Sequence, residues 1–127
     1  MTPTVPISWG ELIDKITILE IKAEKLSSES ARANVQRELA QLTTIASAID
    51  KKPGLADLQR ELKRVNEALW RIEDDIREKE AQKSFDDGFI ALARSVYRSN
   101  DERGRLKREI NRVLGSEITE EKQYTSY

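Results

Sequence analysis

The chain has 127 residues, enough for one hydrophobic core, and 22 Lys+Arg against 23 Asp+Glu, so no whole-chain field of either sign points to nucleic acid or to an acidic partner. Cysteine and histidine are both absent, which excludes disulfides, the usual zinc and haem sites, and every catalytic triad that needs those residues. With charged residues at 35%, hydrophobic ones at 38%, five glycines and three prolines, the composition is that of long solvated helices rather than of a sheet.

Residues 1–7 (MTPTVPI) hold two prolines and are expected to be extended. No apolar run approaches membrane-spanning length, and this opening stretch lacks a signal-peptide core, so the expected location is cytoplasmic, with no membrane partner. Ser8 then reads as an N-cap, Glu11 as the third residue of a capping box, and Ile7 with Leu12 as a hydrophobic staple. Helix 1 is predicted over 9–26, with the seam Leu12, Ile16, Leu19, Ala23 and Leu26. Ile13, Ile18 and Ile21 lie off that seam, so this helix is either central or also touches another subunit.

Ser27–Ser30 is read as a turn, and helix 2 is predicted over 31–51 with the seam Val35, Leu39, Leu42, Ala46 and Ile49, and Ile45 beside it, ended by Pro53-Gly54. Helix 3 is predicted over 55–82. Its seam, Leu55, Leu58, Leu62, Val65, Leu69, Ile72 and Ile76, repeats every three and four residues, a spacing that only an α-helix puts in one line. At ~1.5 Å per residue it is roughly 40 Å long and needs long partners. Ser84 is read as the N-cap of helix 4 (85–114), whose seam is Phe85, Phe89, Leu92, Val96, Ser99, Arg103, Leu106, Ile110 and Val113. The adjacent polar seam positions Ser99 and Arg103, followed by Gly104, mean either a polar layer or a bend. Residues 115–127 are a polar tail.

Short turns favour antiparallel neighbours. The expected fold is therefore all-α: an antiparallel four-helix bundle with two long coiled-coil-like helices, in a single helical domain over 1–127. The far ends of helices 3 and 4 overhang the shorter helices 1 and 2. Ile76, Phe85 and Phe89 then lack cover, and a homodimer is expected to supply it.

In that arrangement Asn66, Trp70 and Glu73 on helix 3 fall on the same side as Tyr97, Asn100, Arg103 and Lys107 on helix 4. Such a patch could bind a polar ligand, its aromatics stacking a ring, Arg103 or Lys107 holding an anion, and Glu73 serving as a candidate general base. The same residues could instead form a satisfied polar layer that fixes helix register. A second patch would bring Asp14 and Lys15 near Lys107 and Asn111. Glu11 and Asp14 form an ExxD pair, but no second pair faces it, so no metal and no cofactor are expected. Arg94, Arg98, Arg105, Arg108 and Arg112 line the outer face of helix 4 and could attract phosphate groups, but Asp101, Glu102 and Glu109 interrupt them and the face reads rather as a solvated one of intrahelical ion pairs. No Gly-rich phosphate loop, nucleophile elbow or dinucleotide fingerprint is present.

Three stretches, SWGELIDKITILEIK (8–22), VNEALWRIEDDIREKE (65–80) and FDDGFIALARSVYRSNDERGRLKREINRVLGSEITEEKQY (85–124), together resemble a family of small bacterial proteins known only as a domain of unknown function. The resemblance covers most of the chain outside 27–54. Family members occur alone or attached to helical repeats, often near genes for surface-polysaccharide and glycosyl-transfer work. The resemblance implies no activity. The functional expectation is a cytoplasmic helical interaction or accessory module, linked through that resemblance to surface-glycan biosynthesis, with a possible protein partner. The alternative is a small helical enzyme or ligand-binding protein for an anionic sugar, nucleotide or carboxylate, so whether the chain is an enzyme stays open.

Overall fold

The computed structural model describes residues 1–127, which form four helices and no strand: α1 (Trp9–Lys25), α2 (Glu29–Ala46), α3 (Leu55–Ala81) and α4 (Asp87–Leu114). The structure is an all-α bundle. None of its helices is long and apolar enough to cross a membrane.

The bundle is organised around α1, which packs against each of the other three helices. That is why α1 carries isoleucines on more than one face. Leu12, Ile13, Ile16, Leu19 and Ile21 are all buried, and the first three join Ala46, Leu55, Leu62, Leu106 and Ile110 in one core cluster. Of the two positions open for this helix, the central one is realised.

The backbone of α2 approaches α1 alone and does not pack along α3 or α4. The reason is in the amounts of apolar surface: α2 buries only Val35 and Ala46, whereas the many-sided α1 has surface left for it. Ile45, beside the α2 seam, stays 54% exposed. The limits of α2 differ from expectation. It starts two residues earlier, because Ser28 caps it with its hydroxyl accepting from the Ala31 amide at 3.3 Å. It ends five residues before the predicted Lys51. The Thr44 hydroxyl donates back to the Ala40 carbonyl and the Ser47 hydroxyl to that of Thr44, the kind of local bonding that competes with helix propagation, and tight turns carry the chain to Gly54. Gly54 has φ of 87°, a left-handed conformation that suits glycine there.

The long helices α3 and α4 form a hairpin. As partners step forward along α4 from Asp86 to Arg105, they step back along α3 from Lys79 to Glu61. The N-cap of α4 is Asp86, not Ser84. The Asp86 carboxylate accepts from the Phe89 amide at 3.0 Å and from Lys79 Nζ at 2.9 Å, and Ser84 donates its hydroxyl to it at 3.1 Å. A carboxylate at a helix N-terminus gains from both the free amides and the dipole, which a serine hydroxyl cannot match.

Burial along the hairpin is lopsided. The buried residues of α3 are Leu55, Leu62 and Asn66, all in its first half, and those of α4 run from Gly104 to Asn111. From Glu67 to Arg103 no residue is fully buried, although Leu69, Ile72, Ile76, Phe89, Leu92 and Val96 keep their seam spacing. Phe85 and Ile90 are 58% and 53% exposed.

Candidate functional site

The polar centre of the molecule is Asp14. It sits in the middle of α1, 1% exposed, where a lone carboxylate would be costly to desolvate. Arg103 of α4 answers it with two bonds, Nε to Oδ1 at 2.9 Å and Nη2 to Oδ2 at 2.5 Å, the fork geometry that suits a planar guanidinium. From α3, Asn66 donates its side-chain amide to Asp14 Oδ1 and to the Thr17 hydroxyl, both at 2.9 Å. Thr17 in turn donates to the Asp14 carbonyl at 2.8 Å. The single buried carboxylate of α1 is thus tied directly to one residue from each of α3 and α4.

The layer continues one turn toward the start of α1. Lys107 Nζ lies 4.0 Å from Asp14 and donates to Glu11 at 2.7 Å and Glu120 at 2.9 Å. Burial by itself pulls the Lys107 ammonium down. The two carboxylates more than reverse this, so Lys107 titrates above its ordinary value. The bond to Asp14 holds the Arg103 guanidinium above its ordinary value, against burial. Glu120 is held below the usual carboxylate range by the Lys107 bond. Every buried side-chain nitrogen and oxygen in the molecule has a hydrogen-bond partner.

Beside this layer the helices touch closely. Gly10 donates its amide to the Asn111 side-chain oxygen at 2.6 Å. A Cβ at Gly10 would collide with the Lys107 carbonyl and stand 2.8 Å from that same Asn111 oxygen. Here the absence of a side chain lets α1 and α4 approach.

The residues predicted as two patches are therefore regrouped. Asp14, Asn66, Arg103 and Lys107 meet in the buried layer, and Asn111 lies next to it. Trp70 and Glu73 line a shallow groove of about 380 Å³ between α1 and α3, floored by Ile18, Ile21 and Leu69, with Asn66 and Arg103 at its inner edge. Glu73 is exposed there and accepts from Arg77 at 3.0 Å. Tyr97 and Asn100 face away from that groove, toward the segment after α4. Lys15 joins neither group. It pairs with Glu38 of α2 at 3.7 Å.

Glu11 also departs from its predicted role. Ser8 does accept from the Glu11 amide at 3.1 Å, but the Glu11 carboxylate reaches across to Lys107 instead of back to the cap. A charge-assisted bond to a half-buried ammonium outweighs one to a backbone amide. Three members of the layer carried no separate signal in the sequence: Thr17, Glu120 and the glycine at position 10. Thr17 could have been found from its place three residues after Asp14 on an otherwise isoleucine-rich helix. Glu120 could not, because it belongs to a segment without periodicity.

What fold and site together define is a small all-α bundle fastened by a buried ionic layer that joins three helices. The chain belongs to DUF6165, a family of unknown function, whose family model matches residues 3–127. Comparison with curated proteins and with solved structures gave no match.

Proposed function

We propose that the protein is a cytoplasmic helical interaction module that works as a homodimer through the outer half of the α3–α4 hairpin. The observation that carries this reading is the absence of any fully buried residue from Glu67 to Arg103 beside an intact apolar seam. A long apolar stripe only half covered within its own chain is an incomplete core. The saturated bonding around Asp14 supports the companion reading of the central layer as a device that sets helix register.

A second copy suits the surface because the outer half of α3 is net acidic while two arginines of α4 have no ion-pair partner. On α3, Asp74, Asp75, Glu78 and Glu80 form no ion pair. On α4, Arg94 and Arg98 form none either. A two-fold arrangement lays α3 of one copy beside α4 of the other. It would cover both apolar seams and bring these acids opposite those arginines, the self-complementarity an isologous interface requires. The link to bacterial surface-glycan biosynthesis rests on the gene neighbourhood of the resembling family and belongs to this proposal.

Sedimentation velocity tests the reading. The expected result is a dimer at low micromolar concentration, converted to a helical monomer by Ile90→Glu combined with Phe85→Glu. A wild-type monomer at 50 µM (roughly the concentration where weak standard-size interfaces still associate) overturns it.

A further inference from the structure

Residues 115–127 do not trail away from the bundle. Gly115, at φ of 63°, turns the chain back, and Ser116 accepts from the Trp9 amide at 3.2 Å. Glu120 is anchored on Lys107. At the other end Tyr127 donates its hydroxyl to Asp101 at 2.7 Å and stands edge-on to Tyr97, with ring centroids 5.1 Å apart. Pinned at both ends, the segment bows over α4 and encloses a cleft of about 970 Å³.

The walls of this cleft carry a definite chemistry. Tyr97, Tyr124 and Tyr127 supply aromatic faces, and Asn100 an amide. Two cations face the space, Arg108 and Lys122, and one carboxylate, Asp101, which is engaged by the Tyr127 hydroxyl. Lys122 is 3.6 Å from Glu120, whereas Arg108 has no carboxylate partner, unlike its neighbours Arg105 and Arg112.

The floor is Gly104. Glycine is among the poorest residues for a helix interior, so one in the middle of a 28-residue helix calls for a reason. At Gly10 the reason is the backbone of α4. At Gly104 no such contact exists: a Cβ would meet only the end of the Arg108 guanidinium, at 3.3 Å. What the missing side chain leaves is room under the bowed segment and freedom for Arg108 to lie across it.

We infer that this cleft is a binding site for a small anion carried on a ring, a phosphorylated or carboxylated nucleoside or sugar. Arg108 and Lys122 take the anionic group, and the tyrosines stack the ring. The inference rests on other observations than the dimer proposal: the cleft straddles the two halves of α4, from Val96 and Tyr97 to Arg108, and shares only Val96 with the apolar seam.

The test is an amide NMR titration of the whole chain with three probes: UMP, glucose 1-phosphate and inorganic pyrophosphate. The expected result is saturable shifts at Asn100, Gly104, Thr125 and Ser126 with one of the two ring-bearing probes, and at least tenfold weaker binding of pyrophosphate. UMP as the tighter probe assigns a flat ring, glucose 1-phosphate a saccharide. Arg108→Met, at an exposed position, is expected to weaken binding at least tenfold. Gly104→Leu should fill the floor and abolish binding with helicity retained. The inference is overturned if no probe gives saturable shifts up to 5 mM (roughly the weak limit of ligand recognition), if pyrophosphate binds as tightly as the ring-bearing probes, or if binding survives Arg108→Met.

Discussion

At the scale of single residues, the molecule turns on one carboxylate. Asp14→Asn keeps the shape and removes the charge that Arg103 pairs with, leaving that guanidinium without its counter-ion while Lys107 keeps Glu11 and Glu120. Urea unfolding is expected to show a loss of about 3 kcal/mol or more. The double variant Asp14→Leu with Arg103→Met removes both charges together, and should recover much of that loss if apolar packing can replace the pair. Two of the helix glycines, Gly10 and Gly104, make a matched pair of opposite sign. Gly10→Ala forces a Cβ into the Lys107 carbonyl and should destabilise by about 1–3 kcal/mol, as overpacking does. Gly104→Ala meets only a movable guanidinium and should raise stability by about 0.5–1 kcal/mol through helix propensity. Thermal or urea midpoints check both. Part of this layer was legible beforehand: Arg103 interrupts the apolar seam of helix 4, where a polar residue must find a partner, and Asn66 falls beside the helix 3 seam on the same side. What the sequence hid was the partner's address. Asp14 lies 89 residues from Arg103, and no periodicity within one helix says which way a neighbouring helix turns its carboxylate.

At the scale of elements, all four helices were readable because 3.6-residue periodicity and capping are local properties. α1, α3 and the end of α4 fall within a residue or so of expectation. Errors gathered where side chains compete for the backbone, at Ser28, Thr44, Ser47 and Asp86. The last of these makes a prediction about acid. Lys79 first, and then the Phe89 amide, lower the Asp86 carboxyl from 3.8 to about 2 in the folded protein. Its contribution to stability is therefore fully present above the unfolded value, and is lost as pH falls from about 4 through 2. In Asp86→Asn the drop in melting temperature between those pH values should be shallower than in wild type. An equal slope would remove Asp86 from the acid limb. The position of α2 was not legible. Its seam fits a partner helix equally well whichever helix that is, and only the count of free faces on α1 decides it.

At the scale of the whole molecule, order is concentrated at one end. The core cluster and the ionic layer hold the first half of α3 and the second half of α4, while the outer hairpin has its seam only half covered. In the monomeric Phe85→Glu, Ile90→Glu variant, native-state hydrogen exchange should show amides of 67–99 opening with lower free energy than those of 62–66 and 104–111. Equal protection along the hairpin would mean that it needs no cover. The central place of α1 has a further consequence, for synthesis. Of the four helices it is translated first, yet its partners on α4 follow some 89 residues later, roughly 5–20 s at ribosomal rates of about 5–20 residues per second. Until α3 follows, a helix apolar on several sides has only one companion available. That companion is α2, the helix whose sole partner in the finished fold is α1. Its small contribution to the final core is thus consistent with an escort built into the chain, shielding α1 from other nascent chains until α3 and α4 arrive.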